Sequence, residues 1–175
     1  TRLVIGANCI VREGARIERG TELGGGATQI GDSALIMAGA YIGHDSQIAE
    51  SVVVANNVSL SGHCALHRGC VIGGHAALHQ HVRVGAFAMV GGMTAVRKDV
   101  LPYTVVSGHS PTLRCLNFHR LWPNLGFAGR RTALHIFQFL CKAGAGQDMA
   151  VDLPFPQIPK NASFMERLDA IRAMD

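Results

Sequence analysis

Aliphatic residues recur every six positions along the first hundred residues of the chain. From Ile30, steps of six reach Ile36, Ile42, Ile48, Val54, Leu60, Leu66, Ile72, Leu78, Val84, Val90 and Val96. With Ile, Val and Leu at roughly a quarter of the chain, such a column would arise by chance about once in 10⁷ trials, so the period is real. Ile5, Val11, Ile17 and Leu23 keep the step upstream, and one extra residue at Gly24-Gly25-Gly26 shifts the frame before Ile30. A second column, four residues after each aliphatic, is small or medium-sized throughout, as in Ala34, Ala40, Ser46, Val52, Cys64 and Ala76. The residue directly after the aliphatic is often glycine, as at Gly31, Gly43, Gly73 and Gly85. Large inner residue, small inner residue and corner glycine predict short strands separated by tight bends, with glycine supplying the sharp turn. Three hexads make one triangular coil, so residues 1–102 are predicted to form a parallel β-helix of about five coils. The strands of a sandwich would alternate with period two and drift between turns; this column does not drift.

The period stops at Leu101-Pro102, and residues 103–175 are expected to form an α-helical cap on the open end of the solenoid. Six of the seven Phe and the single Trp122 lie beyond Asn117. One helix is predicted from Arg130 to Cys141, with Leu134, Phe137 and Leu140 or Cys141 on one face. Residues 153–159, with three prolines, read as a connector. A last helix is predicted to start at Ser163, three residues before Glu166, as in a capping box.

Composition narrows the class. Of the 175 residues 48% are apolar, too many for a disordered chain, and only 16% are charged, which predicts a surface partly covered by sister subunits. No window approaches twenty uninterrupted apolar residues, so no membrane span is expected despite a mean hydropathy of +0.21. Five cysteines without a CxxC pair argue against a disulfide framework, and Thr1-Arg2 opens directly into patterned sequence without a signal peptide. A reducing cytoplasm is the expected compartment. The net charge of +4 does not by itself imply nucleic acid. From Val100 to Gln147 there is no Asp or Glu, whereas Arg114, Arg120, Arg130, Arg131 and Lys142 lie within it. That stretch reads either as ordinary cap surface or as a patch for an acidic partner.

Residues eighteen apart stack on one edge of a triangular coil, which converts the sequence into geometry. His44 then lines up with Gly62, Gln80 and Lys98, and Asp45 with His63, His81 and Asp99. A candidate base, a glycine N–H and several polar groups meet on that edge. Read from the residues alone, His44 is either a base or a solvated corner histidine, and Asp45 a turn residue. His63, His75 and His81 share one phase of the hexad, yet His75 is twelve residues from His63 and belongs to another edge. A three-histidine zinc site within one subunit is therefore excluded, and one shared across a trimer is left as the minor alternative; no metal is expected.

The run "LIMAGAYIGHDSQIAESVVVANNVSLSGH", with "VIGGHAALHQHVRVGAFAMVGGMTAV" and "KDVLPYTVVSGHSP", resembles the acyl-[acyl-carrier-protein]–UDP-N-acetylglucosamine O-acyltransferases of lipid A biosynthesis. These are hexapeptide-repeat proteins with a left-handed parallel β-helix. The likeness runs from Thr1 to about Asn117 and fades in the tail. It implies transfer of a 3-hydroxyacyl chain from acyl carrier protein to the 3-hydroxyl of UDP-N-acetylglucosamine, in a cytoplasmic homotrimer, with no cofactor beyond the acyl carrier co-substrate. The histidine of the family's "HD" pair matches His44, the general base, and Asp45 orients its imidazole. The Gly62 N–H matches the donor to the thioester oxyanion. His63 and Gln80 match positions that contact substrate or donor. Asn117 matches an asparagine near the pantetheine and nucleotide end, and Gly92 the floor of the acyl groove. No covalent intermediate is implied, so no cysteine needs a role.

Departures accompany the likeness. Two family histidines are Tyr41 and Glu18 here, and the family's basic stretch after Leu121 is replaced by Trp122-Pro123-Asn124-Leu125-Gly126. The family also carries coils and a loop ahead of the position of Thr1, so the chain is expected to be a piece of a longer protein. Two alternatives keep the same fold: a non-catalytic structural trimer, and a hexapeptide acyltransferase with another donor or acceptor.

Overall fold

A computed structural model describes residues 1–109 and 112–142. Its strands are short and fall three to a coil. The first coil is β1 (Arg2–Ile5), β2 (Ile10–Val11) and β3 (Arg16–Ile17); the second is β4 (Ala27–Ile30), β5 (Leu35–Ile36) and β6 (Tyr41–Ile42). The third is β7 (Gln47–Ile48), β8 (Val53–Val54) and β9 (Ser59–Leu60); the fourth is β10 (Ala65–Leu66), β11 (Val71–Ile72) and β12 (Ala77–Leu78). The fifth is β13 (Arg83–Val84), β14 (Met89–Val90) and β15 (Ala95–Val96). Every third strand pairs in parallel, giving three ladders: β1-β4-β7-β10-β13, β2-β5-β8-β11-β14 and β3-β6-β9-β12-β15. From the second coil onward the register is in steps of eighteen, as in Leu66 opposite Ile48 and Val84, whereas the first coil pairs with the second in steps of twenty-five, as in Ile5 opposite Ile30.

Both predicted columns fill the prism. Ile36, Ile42, Leu60, Ile72 and Val84 have no exposed surface, and Ala40, Val52, Cys64, Cys70 and Ala88 are equally buried beneath the corners. Leu23 departs from its column: it is fully exposed, at the tip of the turn that contains the Gly24-Gly25-Gly26 shift. Ile5 and Val11 in the outermost coil are each 45% exposed, since their strands pair on one side only.

The corners turn by a different device from the one expected. The left-handed backbone conformation falls three residues after each aliphatic, and mostly on non-glycine residues, among them Asn57, His63, His75 and Met93. The glycines directly after the aliphatics serve close approach instead. A Cβ on Gly31 would lie 2.6 Å from the Glu50 amide nitrogen of the next coil.

Parallel pairing continues past Pro102, where the sequence period ends. Strand β16 (Thr104–Ser107) adds to β14, and β17 (Thr112–Leu116) turns back antiparallel to it across an irregularity at Val105/Val106. Helix α1 (Phe118–Asn124), which the sequence pattern does not announce, follows, and then α2 (Phe127–Lys142), which begins three residues before the predicted helix. Helix α1 has no side-chain cap and no acidic first turn, so the usual start signals are missing. Leu121 and Ala133 pack with Tyr103 and Leu116 in a second small core, joined by Leu134 and Phe137 of the expected face. The connector at 153–159 and the helix expected at Ser163 lie outside the described residues, as do the side chains of Leu140 and Cys141. No helix among the described residues is long and apolar enough to cross a membrane.

Candidate active site

One edge of the prism, between the ladder ending in β15 and the ladder ending in β13, carries the predicted cluster. His44 and Asp45 occupy the turn between β6 and β7, and Gly62 and His63 the turn between β9 and β10. The stacking rule holds in the side chains. The His63 and His81 rings lie parallel at 4.7 Å, and His44 meets His63 edge-on at 5.1 Å.

His44 and Asp45 differ sharply in exposure, and that sets their chemistry. The Asp45 side chain is fully buried while the imidazole of His44 keeps 41% of its surface open. Oδ2 of Asp45 lies 2.9 Å from Nδ1 of His44. Burial alone would raise the carboxyl's pKa, but hydrogen bonds from Thr21 and His44 outweigh it and hold Asp45 down at about 2. An ionised carboxylate can only accept, so Nδ1 of His44 carries the proton and Nε2 presents its lone pair.

Gly62 makes room for that ring. A Cβ at this position would lie 2.7 Å from Cε1 and 2.8 Å from Nε2 of His44. Among the described residues the Gly62 N–H donates to no carbonyl or side chain, so a preorganised donor sits beside the imidazole. Gln80, exposed, lies one coil further on the same edge, where the His81 N–H bonds the Gly62 carbonyl at 3.2 Å.

Two of the expected residues lie elsewhere in the chain. Gly92 is exposed on the next edge, after β14. Asn117 sits just before α1, where its side chain donates to the Phe87 carbonyl at 2.9 Å and ties the cap to the prism. A single chain therefore assembles His44, Asp45, Gly62, His63 and Gln80 and leaves Gly92 and Asn117 apart from them.

Sequence reasoning missed Thr21 and Thr28, and met Glu18 only as a departure from a family histidine. Glu18 accepts the His44 backbone N–H at 3.1 Å, and burial followed by the Glu18 carboxylate raises the pKa of Tyr41 beside it. Thr21 and Thr28 both bond Asp45, through its carboxylate and its N–H respectively. The break in the period at Gly24-Gly25-Gly26 was the available signal, but it reads as one extra residue, whereas the register of twenty-five between the first two coils makes the insertion a whole loop.

Ligand atoms of His44, Asp45 and His63 lie within 4.8 Å of one another. A metal there would have to displace the hydrogen bonds that Asp45 already accepts from Thr21 and His44, so the donor set suits a hydrogen-bonded base better than an ion. Burial pushes the Cys64 thiol up to about 11 and Cys70 to about 12, which leaves neither as a thiolate. Beside the cluster runs a groove of about 1080 Å³, lined by Asp45, Gln47, His63 and Arg83 and by Ile136 and Phe137 of α2.

Known proteins share this repeat and this fold. Residues 27–62 match the bacterial transferase hexapeptide (six repeats) family. The acyl-[acyl-carrier-protein]–UDP-N-acetylglucosamine O-acyltransferase of Paracoccus denitrificans is 46% identical over 117 residues, covering 67% of this chain and 45% of that protein. The enzyme of the same name from Pseudomonas savastanoi pv. phaseolicola is 37% identical over 96% of this chain and 67% of its own length. The crystal structure of the UDP-N-acetylglucosamine O-acyltransferase from Moraxella catarrhalis superposes with a TM-score of 0.79 at 30% identity, covering 99% of this chain and 68% of that one. The chain spans about half the length of most of the curated relatives it matches. At this identity and coverage, with the fold in common, the chain belongs to the acyl-[acyl-carrier-protein]–UDP-N-acetylglucosamine O-acyltransferase family.

Proposed function

We propose that the protein transfers a 3-hydroxyacyl chain from acyl carrier protein to the 3-hydroxyl of UDP-N-acetylglucosamine, the first step of lipid A biosynthesis, with His44 as general base. The observation that carries this reading is the pair itself: an open imidazole whose Nδ1 is held by a buried, ionised carboxylate, with Gly62 packed against its ring. Nε2 takes the proton from the sugar hydroxyl as that oxygen attacks the thioester carbonyl. The Gly62 N–H donates to the oxyanion of the tetrahedral intermediate, and Asp45 stabilises the imidazolium. Collapse expels the carrier's thiolate, which recovers the proton from His44. Ester and thiol replace alcohol and thioester, and the protein is unchanged.

His63 and Gln80, on the same edge, contact substrate or donor. The acyl chain runs along a groove shared with a neighbouring subunit, which is why Gly92 and Asn117 lie away from His44 in one chain. A homotrimer supplies them from another copy. An outward ladder of Ile10, Leu35, Val53, Val71 and Met89 supports such packing, being apolar on a face that a lone subunit would expose to water. The basic residues of the cap suit an acidic carrier protein. The reaction needs no cofactor beyond the acyl carrier co-substrate, and its compartment is the cytoplasm.

The experiment incubates the protein with UDP-N-acetylglucosamine and a 3-hydroxyacyl thioester carried either on acyl carrier protein or on coenzyme A, and follows product by mass. A 3-O-acylated sugar nucleotide formed from the carrier protein and not from coenzyme A is expected. Equal use of coenzyme A, or no product with either donor, contradicts the assignment.

A further inference from the structure

The loop between β3 and β4 has no part in the reaction as described, yet it closes over Asp45. Its backbone is anchored by the Gly20 N–H on the Arg2 carbonyl at 3.0 Å and by the Gly26 N–H on the Thr21 carbonyl at 2.8 Å. Held in this way, Thr21 donates twice to Asp45: its N–H to Oδ1 at 2.9 Å and its hydroxyl to Oδ2 at 2.7 Å. The hydroxyl oxygen in turn accepts the Gly24 N–H at 3.0 Å, which fixes the direction of its proton toward the carboxylate. Gly24 lies against the same group, since a Cβ there would fall 2.1 Å from Oδ2. From the other side Thr28 Oγ1 accepts the Asp45 N–H at 2.8 Å. The equivalent residue of the next coil, His63, has no such loop over it and stacks on His81 instead.

We infer that Thr21 is a positioning residue for the His44–Asp45 pair, and that the loop made by the break in the hexad period is the device that holds it. The inference rests on the reading of His44 as the base. The argument is geometric. One oxygen, Oδ2, receives both the Thr21 hydroxyl and the His44 ring, so the hydroxyl sets where that oxygen stands and which tautomer the imidazole adopts. Water cannot take over this task, because the Asp45 side chain is fully buried. The titratable groups facing the carboxylate are His44 from its own turn and His63 from the next coil. Thr21 is also the first hydrogen-bond contribution to the low pKa of Asp45.

The test uses Thr21→Val, which keeps the shape and removes the hydroxyl, and Thr21→Ser, which restores it, both in the 175-residue chain. Loss of one hydrogen bond to a charged group predicts a fall in kcat of roughly 10- to 100-fold in Thr21→Val, with KM for either substrate little changed and Thr21→Ser recovering most of the loss. Nitrogen-15 spectra of the histidines read the tautomer independently of turnover. A single Nδ1–H form of His44 is expected in the parent and in Thr21→Ser, and a mixture in Thr21→Val. The carbon-13 titration of the Asp45 carboxyl is expected to move up from about 2 in Thr21→Val. An unchanged tautomer and an unchanged Asp45 titration overturn the inference. So does a changed tautomer with kcat kept within about twofold while His44→Ala is inactive; Thr21 would then be structural and the base assignment would stand. Should His44→Ala remain active, the base assignment fails instead, and the spectra still decide whether Thr21 sets the tautomer. If Thr21→Val does not fold, Gly24→Ala asks the same question by driving a methyl group onto Oδ2, and a parent-like His44 tautomer in that variant overturns the inference.

Discussion

Asp45 stays ionised under any ordinary condition because every donor around it favours the charged form. Its folded pKa of about 2 lies below the ordinary 3.8, so the ionised group stabilises the fold above roughly pH 4 and that contribution is lost as pH falls through about 2. Asp45→Asn removes the charge and with it the dependence. The urea midpoint of the parent should therefore exceed that of Asp45→Asn at neutral pH, with the gap narrowing between about pH 4 and pH 2; a constant gap across that window contradicts the assigned environment. The stacking of His63 on His81 and the approach of His44 to Gly62 were legible in the sequence, because neighbours on a solenoid edge differ by a fixed eighteen residues. Thr21 and Glu18 were not. They reach the site across separations of 24 and 26 residues, because the loop between β3 and β4 lengthens the register of the first two coils from eighteen to twenty-five, as in Ile17 opposite Ile42.

At the scale of elements, the two inner columns foretold every strand from β4 to β15, and burial follows them residue by residue. The corners were less legible. A frequent glycine reads naturally as a turn former, but here the left-handed conformation is carried by residues such as Asn57 and Met93, while Gly31 lets one coil's backbone approach the next. Period alone cannot separate a glycine needed for its torsion from one needed for its lack of a side chain. Gly31→Ala would put a methyl group 2.6 Å from the Glu50 nitrogen and 2.7 Å from the Ala49 carbonyl carbon, backbone atoms that cannot yield as a side-chain tip can. A loss of about 1–3 kcal/mol in denaturation is expected, comparable to overpacking a core; an unchanged midpoint would show that the coils are not in such close contact. The cap was harder still. Helix α1 carries neither an acidic first turn nor a capping side chain, and its preceding residue Asn117 spends its amide on Phe87.

At the scale of the whole molecule, low charge and high apolar content resolve into two causes: stacked aliphatic columns within the prism, and an apolar outer ladder that suits contact with sister subunits. The second cause bears on chemistry, since Gly92 and Asn117 meet His44 only if another copy brings them there. In the proposed trimer the site would be half written in each chain, an edge of polar residues in one subunit facing the next edge and the cap of its neighbour. The measurement that bears most directly on this account is steady-state turnover of His44→Ala beside the parent, with 3-hydroxyacyl carrier protein and UDP-N-acetylglucosamine as substrates and the mass of each protein in solution recorded. Loss of a general base predicts a fall in kcat of about 10²- to 10⁴-fold with the trimer mass unchanged. Turnover within about tenfold of the parent by a trimeric His44→Ala protein would contradict it.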